Sequence, residues 1–173
     1  NMHGKSPKLL HLATHGFYYT PNRAENVDYL KGYTDAMSLS GLVLSGGNAA
    51  WLGKPLPKGV LGGILSANDI ARLDLSNTDM VVLSACQTGQ GKATSEGLYG
   101  LQRAFKKAGV GTIVMSLWSV SDKTTSEFMT IFYERLADKN NAWNKRKAFE
   151  EAKEIIRKKH PDPFHWAAFV MLD

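Results

Sequence analysis

The run Met80-Val-Val-Leu-Ser-Ala85 decides the fold. It is short, β-rich and almost wholly apolar, and polar residues bound it: Asn77-Thr78-Asp79 before, Gln87-Thr88-Gly89 after. Such a run suits a strand covered on both faces, the kind found in a mostly parallel sheet. The same recipe recurs outward from it, in Leu9-Leu-His-Leu-Ala13, in Thr112-Ile-Val-Met-Ser-Leu117 and in residues 167–172 at the end of the chain. Helical spacing fills the gaps. Residues 97–108 place Leu98, Leu101, Ala104, Phe105 and Ala108 on one face and stop at Gly109. Residues 122–137 carry Phe128, Ile131, Phe132 and Leu136, with Thr124-x-x-Glu127 in the pattern of a capping box. Residues 143–159 form a third helix on Ala148, Phe149, Ala152, Ile155 and Ile156, and Ser66-x-x-Asp69 introduces a short one near residues 68–73. Strand–helix alternation of this kind predicts an α/β layered domain with right-handed crossovers. Residues 16–66 differ: they are rich in Gly and Ser and read as irregular apart from a small strand at residues 40–44. A long stretch of that sort in a domain is usually functional or mobile.

Composition sets the outer bounds. The 173 residues are 43% hydrophobic and 21% charged, too apolar for a solvated coil. One cysteine, Cys86, excludes a disulfide framework. A lone thiol without a basic-then-apolar leader fits a reducing, intracellular compartment, so the expected location is cytoplasmic. No apolar run approaches the ~20 residues that span a bilayer, and no membrane partner is expected. The formal charge is +5, and residues 145–159 carry seven Lys/Arg against three Glu. That run reads as a solvated helix face. Its few aromatics, Trp143 and Phe149, argue against base stacking, so direct nucleic-acid binding is not expected. The first strand begins only eight residues in, so elements ahead of Asn1 are expected in a longer protein.

Several motifs fail on context. Gly4-Lys5-Ser6 is followed by Pro7 and a strand, whereas a phosphate loop needs a strand before it and a helix after. His11 and His15 have the i, i+4 spacing of a helical zinc pair, but a strand would hold them ~13 Å apart at ~3.3 Å per residue, and no Cys or acid lies nearby to complete a ligand set. What remains is two strand ends. Leu12-Ala13-Thr14-His15-Gly16 sits where the first apolar run breaks into a loop, and Ser84-Ala85-Cys86-Gln87 where a later one does. Functional groups gather at the C-terminal edges of parallel strands. If the two strands are neighbours, His15 and Cys86 face one another there. A free thiol, with a pKa near 8.5, is only a few per cent thiolate at neutral pH. An adjacent imidazole removes that limit by lowering the thiol pKa or by taking its proton during attack. The oxyanion then needs donors, for which the backbone N–H groups of Gly16 and Cys86 are candidates.

Leu9-Leu-His-Leu-Ala-Thr-His-Gly16 and Val81-Val-Leu-Ser-Ala-Cys-Gln-Thr-Gly89 resemble the two signature blocks of the CHAT family, caspase-like domains related to caspases and separases and often joined to tetratricopeptide arrays. The likeness continues through Glu96-Gly97-Leu98, Ala108-Gly109, Ser116-Leu117-Trp118-Ser-Val-Ser-Asp122 and Trp166-Ala-Ala-Phe169. The caspase signature Gln-Ala-Cys-x-Gly is met in part, with Ser84 in place of the Gln and Thr88 ahead of the Gly.

The resemblance implies a caspase-like three-layer α/β sandwich with a mostly parallel sheet. Residues 1–173 would form a single catalytic domain, the C-terminal part of a larger protein, without the strand that precedes the histidine strand in the family. It implies a cysteine endopeptidase with Cys86 as nucleophile and His15 as general base, acting through a thioester, with no metal and no cofactor. Its partners would be a protein substrate and a regulatory tetratricopeptide or other N-terminal region. Gly16, Ser116, Trp118 and Asp122 are the expected substrate-binding residues, because the family runs its substrate as an added strand beside the segment that begins at Ser116. Trp118 either walls that cleft or is a half-buried core residue. Asp122 either N-caps the following helix or favours a basic residue before the cut, and Glu96 poses a similar question at its own helix. The rival reading keeps the fold with a silent thiol, as a protein-interaction domain.

Overall fold

The computed structural model describes residues 5–19, 24, 28–56, 58–59, 62–84 and 95–173, with backbone alone at 29 and 95–98. Two units divide it: residues 1–113 with Asp173, and residues 114–172.

In the first unit, β1 (Leu9–Leu12) and β5 (Met80–Leu83) are parallel neighbours, in register from Leu9 opposite Met80 to Leu12 opposite Leu83. The ladder runs one residue further, where Ser84 N–H donates to the Leu12 carbonyl at 3.1 Å. All four residues of β5 are buried, as the unbroken apolar run required. At ~1.5–3 kcal/mol per buried aliphatic side chain, this strand is the anchor of the unit. Helix α3 (Ser95–Lys107) buries Leu101, Ala104 and Phe105.

Residues 16–66 are not irregular. They hold most of a second, antiparallel sheet in the order β2-β3-β4, made of β2 (His15–Tyr18), β3 (Ser40–Val43) and β4 (Ile64–Ser66). Helix α1 (Gly47–Trp51) lies between β3 and β4. A core of Phe17, Ala24, Leu30 and Leu39 forms against it, joined by Tyr19, Val43, Trp51 and Ile64. Gly41 is required there, since a Cβ on it would stand 2.5 Å from the Leu65 carbonyl oxygen and 2.8 Å from the Phe17 ring. Ser66-x-x-Asp69 does introduce a short helix, α2 (Ala67–Ile70), and closes it with a capping box: Ser66 Oγ accepts from Asp69 N–H, and Asp69 Oδ2 from Ser66 N–H, both at 3.1 Å.

Strand β6 (Thr112–Ser116) begins in the first unit and ends in the second, and the larger sheet has the order β1-β5-β6-β7 with β7 at Phe169–Leu172. Leu117 N–H donates to the Ala168 carbonyl at 2.9 Å, and Thr112 Oγ1 to Asp173 Oδ1 at 3.0 Å. Those two bonds run in opposite chain directions, so β7 is an antiparallel edge on a mostly parallel sheet.

The second unit packs α4 (Asp122–Ala137) on α5 (Lys145–Lys159), with α6 (Pro163–Trp166) leading into β7. Helix α4 begins where the sequence placed it, but its cap is Ser121, whose Oγ accepts from Thr124 N–H at 3.2 Å. Asp122 is therefore the first helical residue and not the N-cap. Glu127 does not close a capping box either; it accepts from His160 Nε2 at 2.9 Å and pairs with Lys159 at 3.1 Å. Helix α5 begins two residues later than predicted. Trp143 holds a left-handed φ of 60°, and Asn144 caps the helix through Lys147 N–H. Its cations are a paired face: Arg157 and Lys158 share Glu154, and Lys153 reaches the Phe169 carbonyl at 3.1 Å.

The Glu127 carboxyl is held below its ordinary range first by the His160 hydrogen bond and then by Lys159. A carboxylate with a lowered folded pKa stabilises fully above its unfolded value, and that contribution disappears as the pH falls through the folded one. Glu127→Gln is therefore expected to be less stable than wild type at neutral pH. The difference should close below about pH 4, as followed by urea unfolding across a pH series.

Candidate functional site

Two residues, Ala13 and Thr14, connect β1 to β2, so His15 lies just beyond the C-terminal edge of the parallel ladder. It does not sit in a loop as the sequence predicted. It opens β2, opposite Val43, and Thr14 Oγ1 donates to the Val43 carbonyl beside it. The reason is local: Phe17 and Tyr19 share the His15 face of the strand and pack on Trp51, which draws the chain into a new sheet directly after the break.

The hydrogen-bond parity of β2 decides where its amides point. Tyr19 N–H donates to the Leu39 carbonyl at 2.9 Å, so the pairs Phe17–Gly41 and His15–Val43 are the hydrogen-bonded ones. Leu44 N–H donates to the Gly63 carbonyl at 2.8 Å on the other side of β3 and gives the same parity. Gly16, in a non-hydrogen-bonded pair, thus turns its N–H away from β3, and β2 is the edge of its sheet.

Two hollows meet at His15. The larger, about 600 Å³, is lined by residues 11–15 and 43–48. The smaller, about 190 Å³, is lined by His15, Gly16, Phe17, Tyr19, Val43, Gly47, Asn48 and Trp51. Neither has an Asp, Glu, Lys or Arg among its described lining residues. Gly63 packs so closely on Gly46 and Gly47, which line the larger hollow, that a Cβ on it would fall on their backbone. At the ladder's end His11 Nε2 lies 2.8 Å from Ser84 Oγ and ties β1 to β5 by side chains as well. Partial removal from water lowers the His11 pKa and favours the neutral ring. Among the described residues no group of three His, Cys, Asp or Glu stands where it would hold a metal ion.

The other expected residues divide as follows. Cys86, together with Ala85 and residues 87–89, lies outside the described residues, as does the side chain of Glu96. Ser116, Trp118 and Asp122 belong to the second unit. Ser116 is half-buried at the end of β6, and Asp122 is exposed on the first turn of α4. The Trp118 indole is half-buried and tethered: Nε1 donates to the Phe164 carbonyl at 2.9 Å, and the two rings stand 6.3 Å apart. Sequence reasoning missed the aromatic wall of the smaller hollow. Its only signal was the alternation His15-x-Phe17-x-Tyr19, too short to separate from loop.

No helix among the described residues is long and apolar enough to cross a membrane. The family model of the CHAT domain matches residues 1–173. Tetratricopeptide repeat protein 28 of Mus musculus is 32% identical over 111 residues, 63% of this chain and 4% of that protein. The Homo sapiens protein of the same name matches over the same length, with the same identity and coverage. The chain thus corresponds to a small part of these relatives.

Proposed function

The chain belongs to the CHAT domain family, with its caspase-like α/β fold, and on that premise we propose that residues 1–173 form one catalytic domain, a cysteine endopeptidase using Cys86 and His15. One observation carries this reading. Leu12 and Leu83 are partners in the parallel ladder, His15 is the third residue beyond the first, and Cys86 is the third beyond the second. Strands in such a ladder are ~4.8 Å apart, so the two chains leave one sheet edge side by side. Equal counts from that edge suit a shared proton.

In this mechanism the His15 imidazole takes the Cys86 proton as sulfur attacks the scissile carbonyl carbon. The C–N bond then breaks, the imidazolium protonates the leaving amine, and a thioester remains. Water, deprotonated by the same imidazole, adds to the thioester and expels the thiolate, leaving a carboxylate and the original thiol. The Gly16 N–H, turned outward from the edge of β2, supports an oxyanion donor at this position. Ser116, Trp118 and Asp122 would guide the substrate backbone, with Asp122 free of capping duty because Ser121 performs it. The relatives are named for tetratricopeptide repeats, which supports a regulatory partner of that kind. The lone thiol supports a cytoplasmic location.

Thiol alkylation tests the dyad without a substrate. Near neutral pH, Cys86 is expected to react with iodoacetamide at least about tenfold faster than a free cysteine, whose thiolate fraction is only a few per cent. His15→Ala should remove that advantage. Rates equal to free cysteine in both chains would leave a silent interaction domain as the better reading.

A further inference from the structure

Resting on the peptidase reading, we infer that the hollow walled by Phe17, Tyr19 and Trp51 is the subsite for an uncharged, apolar substrate side chain on a residue flanking the bond to be cut. Position argues for it first. His15 and Gly16 line this hollow, so a side chain seated there hangs from backbone within reach of the imidazole and the outward amide. The chemistry of the wall argues next. The Phe17 and Trp51 rings meet edge to face at 5.0 Å, Tyr19 lies 5.5 Å from Trp51, and Val43 adds an aliphatic side. A charged side chain would lose its water with no counter-charge among the described lining residues. Aromatic rings do attract cations, but the imidazolium that forms at His15 during turnover would oppose one.

Size completes the case. The hollow has a volume of about 190 Å³. It falls below the ~300–1,000 Å³ of pockets that enclose a whole small molecule. One side chain fits. The adjoining hollow of about 600 Å³, where the aliphatic Leu12, Val43 and Leu44 alternate with polar and small residues, has room for the peptide chain itself.

The test is cleavage of a peptide library by the full chain and by two variants with opposite effects on the hollow. The wild type is expected to prefer Leu, Met or Phe over Asp, Glu, Lys or Arg at one position flanking the cut, by about tenfold or more. Asn48→Phe, which fills the hollow from α1, should shift that preference to Ala and Gly, and Trp51→Ala should shift it to larger side chains. A general loss of folding cannot produce opposite shifts. Preference for charged residues at both flanking positions, or variants that slow cleavage with preference unchanged, would overturn the subsite.

A second readout separates this from the peptidase reading. Two labelled hexapeptides, with a single Leu or Asp in a Gly-Ser background, are titrated into the Cys86→Ala chain, where no turnover occurs. The Leu peptide is expected to bind about tenfold tighter, and Asn48→Phe should abolish the difference. Leu-selective binding without any cleavage by wild type would sustain the hollow and overturn the peptidase; equal binding of both peptides would overturn the hollow.

Discussion

Cys86→Ala is expected to reduce peptide cleavage to the uncatalysed background, and His15→Ala to lower kcat/KM by about 10²–10⁴-fold, the usual worth of a positioned acid–base group. The two losses should not add. In the proposed mechanism sulfur and imidazole act on the same proton, so once one is gone the other has little left to do, and the double variant should resemble Cys86→Ala. The measurement is cleavage of a single peptide from the library by the four chains, with pH profiles for those that retain activity. A His15→Ala chain as fast as wild type across the profile would assign the base to another residue. In that case His11 would be the next imidazole to replace, because it lies at the same ladder end, 2.8 Å from Ser84 Oγ.

The largest expected effect on stability is in the second unit, at Phe128. Its side chain is fully buried and stacks on Phe169 with ring centroids 4.0 Å apart and planes 4° from parallel. It also meets Phe149 edge-on at 5.5 Å. One ring thus joins α4, α5 and β7. Phe128→Ala removes it and leaves a cavity between three elements. The expected cost is about 3–5 kcal/mol, read as a shift in the urea midpoint at constant slope. Phe128→Leu, which retains most of the volume, should cost less than about half of that. Equal losses for the two would mean that ring stacking, and not volume, holds the unit together.

Residues with a long period were legible in the sequence. The apolar run at Met80–Leu83 is buried along its whole length, and α4 begins and ends where Phe128, Phe132 and Leu136 place it. The neighbouring of β1 and β5 was only a condition in the sequence; the ladder from Leu9–Met80 to Leu12–Leu83 meets it. The antiparallel sheet was not legible, because β2, β3 and β4 have only three or four residues each. Over that length alternation cannot be told from chance, and the partners of β2 lie more than twenty residues away. The capping of α4 was misread for a different reason. Ser121, Asp122 and Thr124 are all capable of it, and Glu127 had a better partner in His160, 33 positions further on. Candidate chemistry at His15 was visible from its place after the first strand; the aromatic hollow beside it required three-dimensional proximity of Phe17 and Trp51.

His15 is fastened to two frameworks at once. Leu12, three residues before it, is locked into the parallel ladder, while its own pairing with Val43 belongs to the antiparallel sheet. Along this stretch of chain only Ala13 and Thr14 separate the two pairings. In the proposed mechanism the imidazole is therefore the gauge needle of this joint: turning one sheet against the other would carry it out of place.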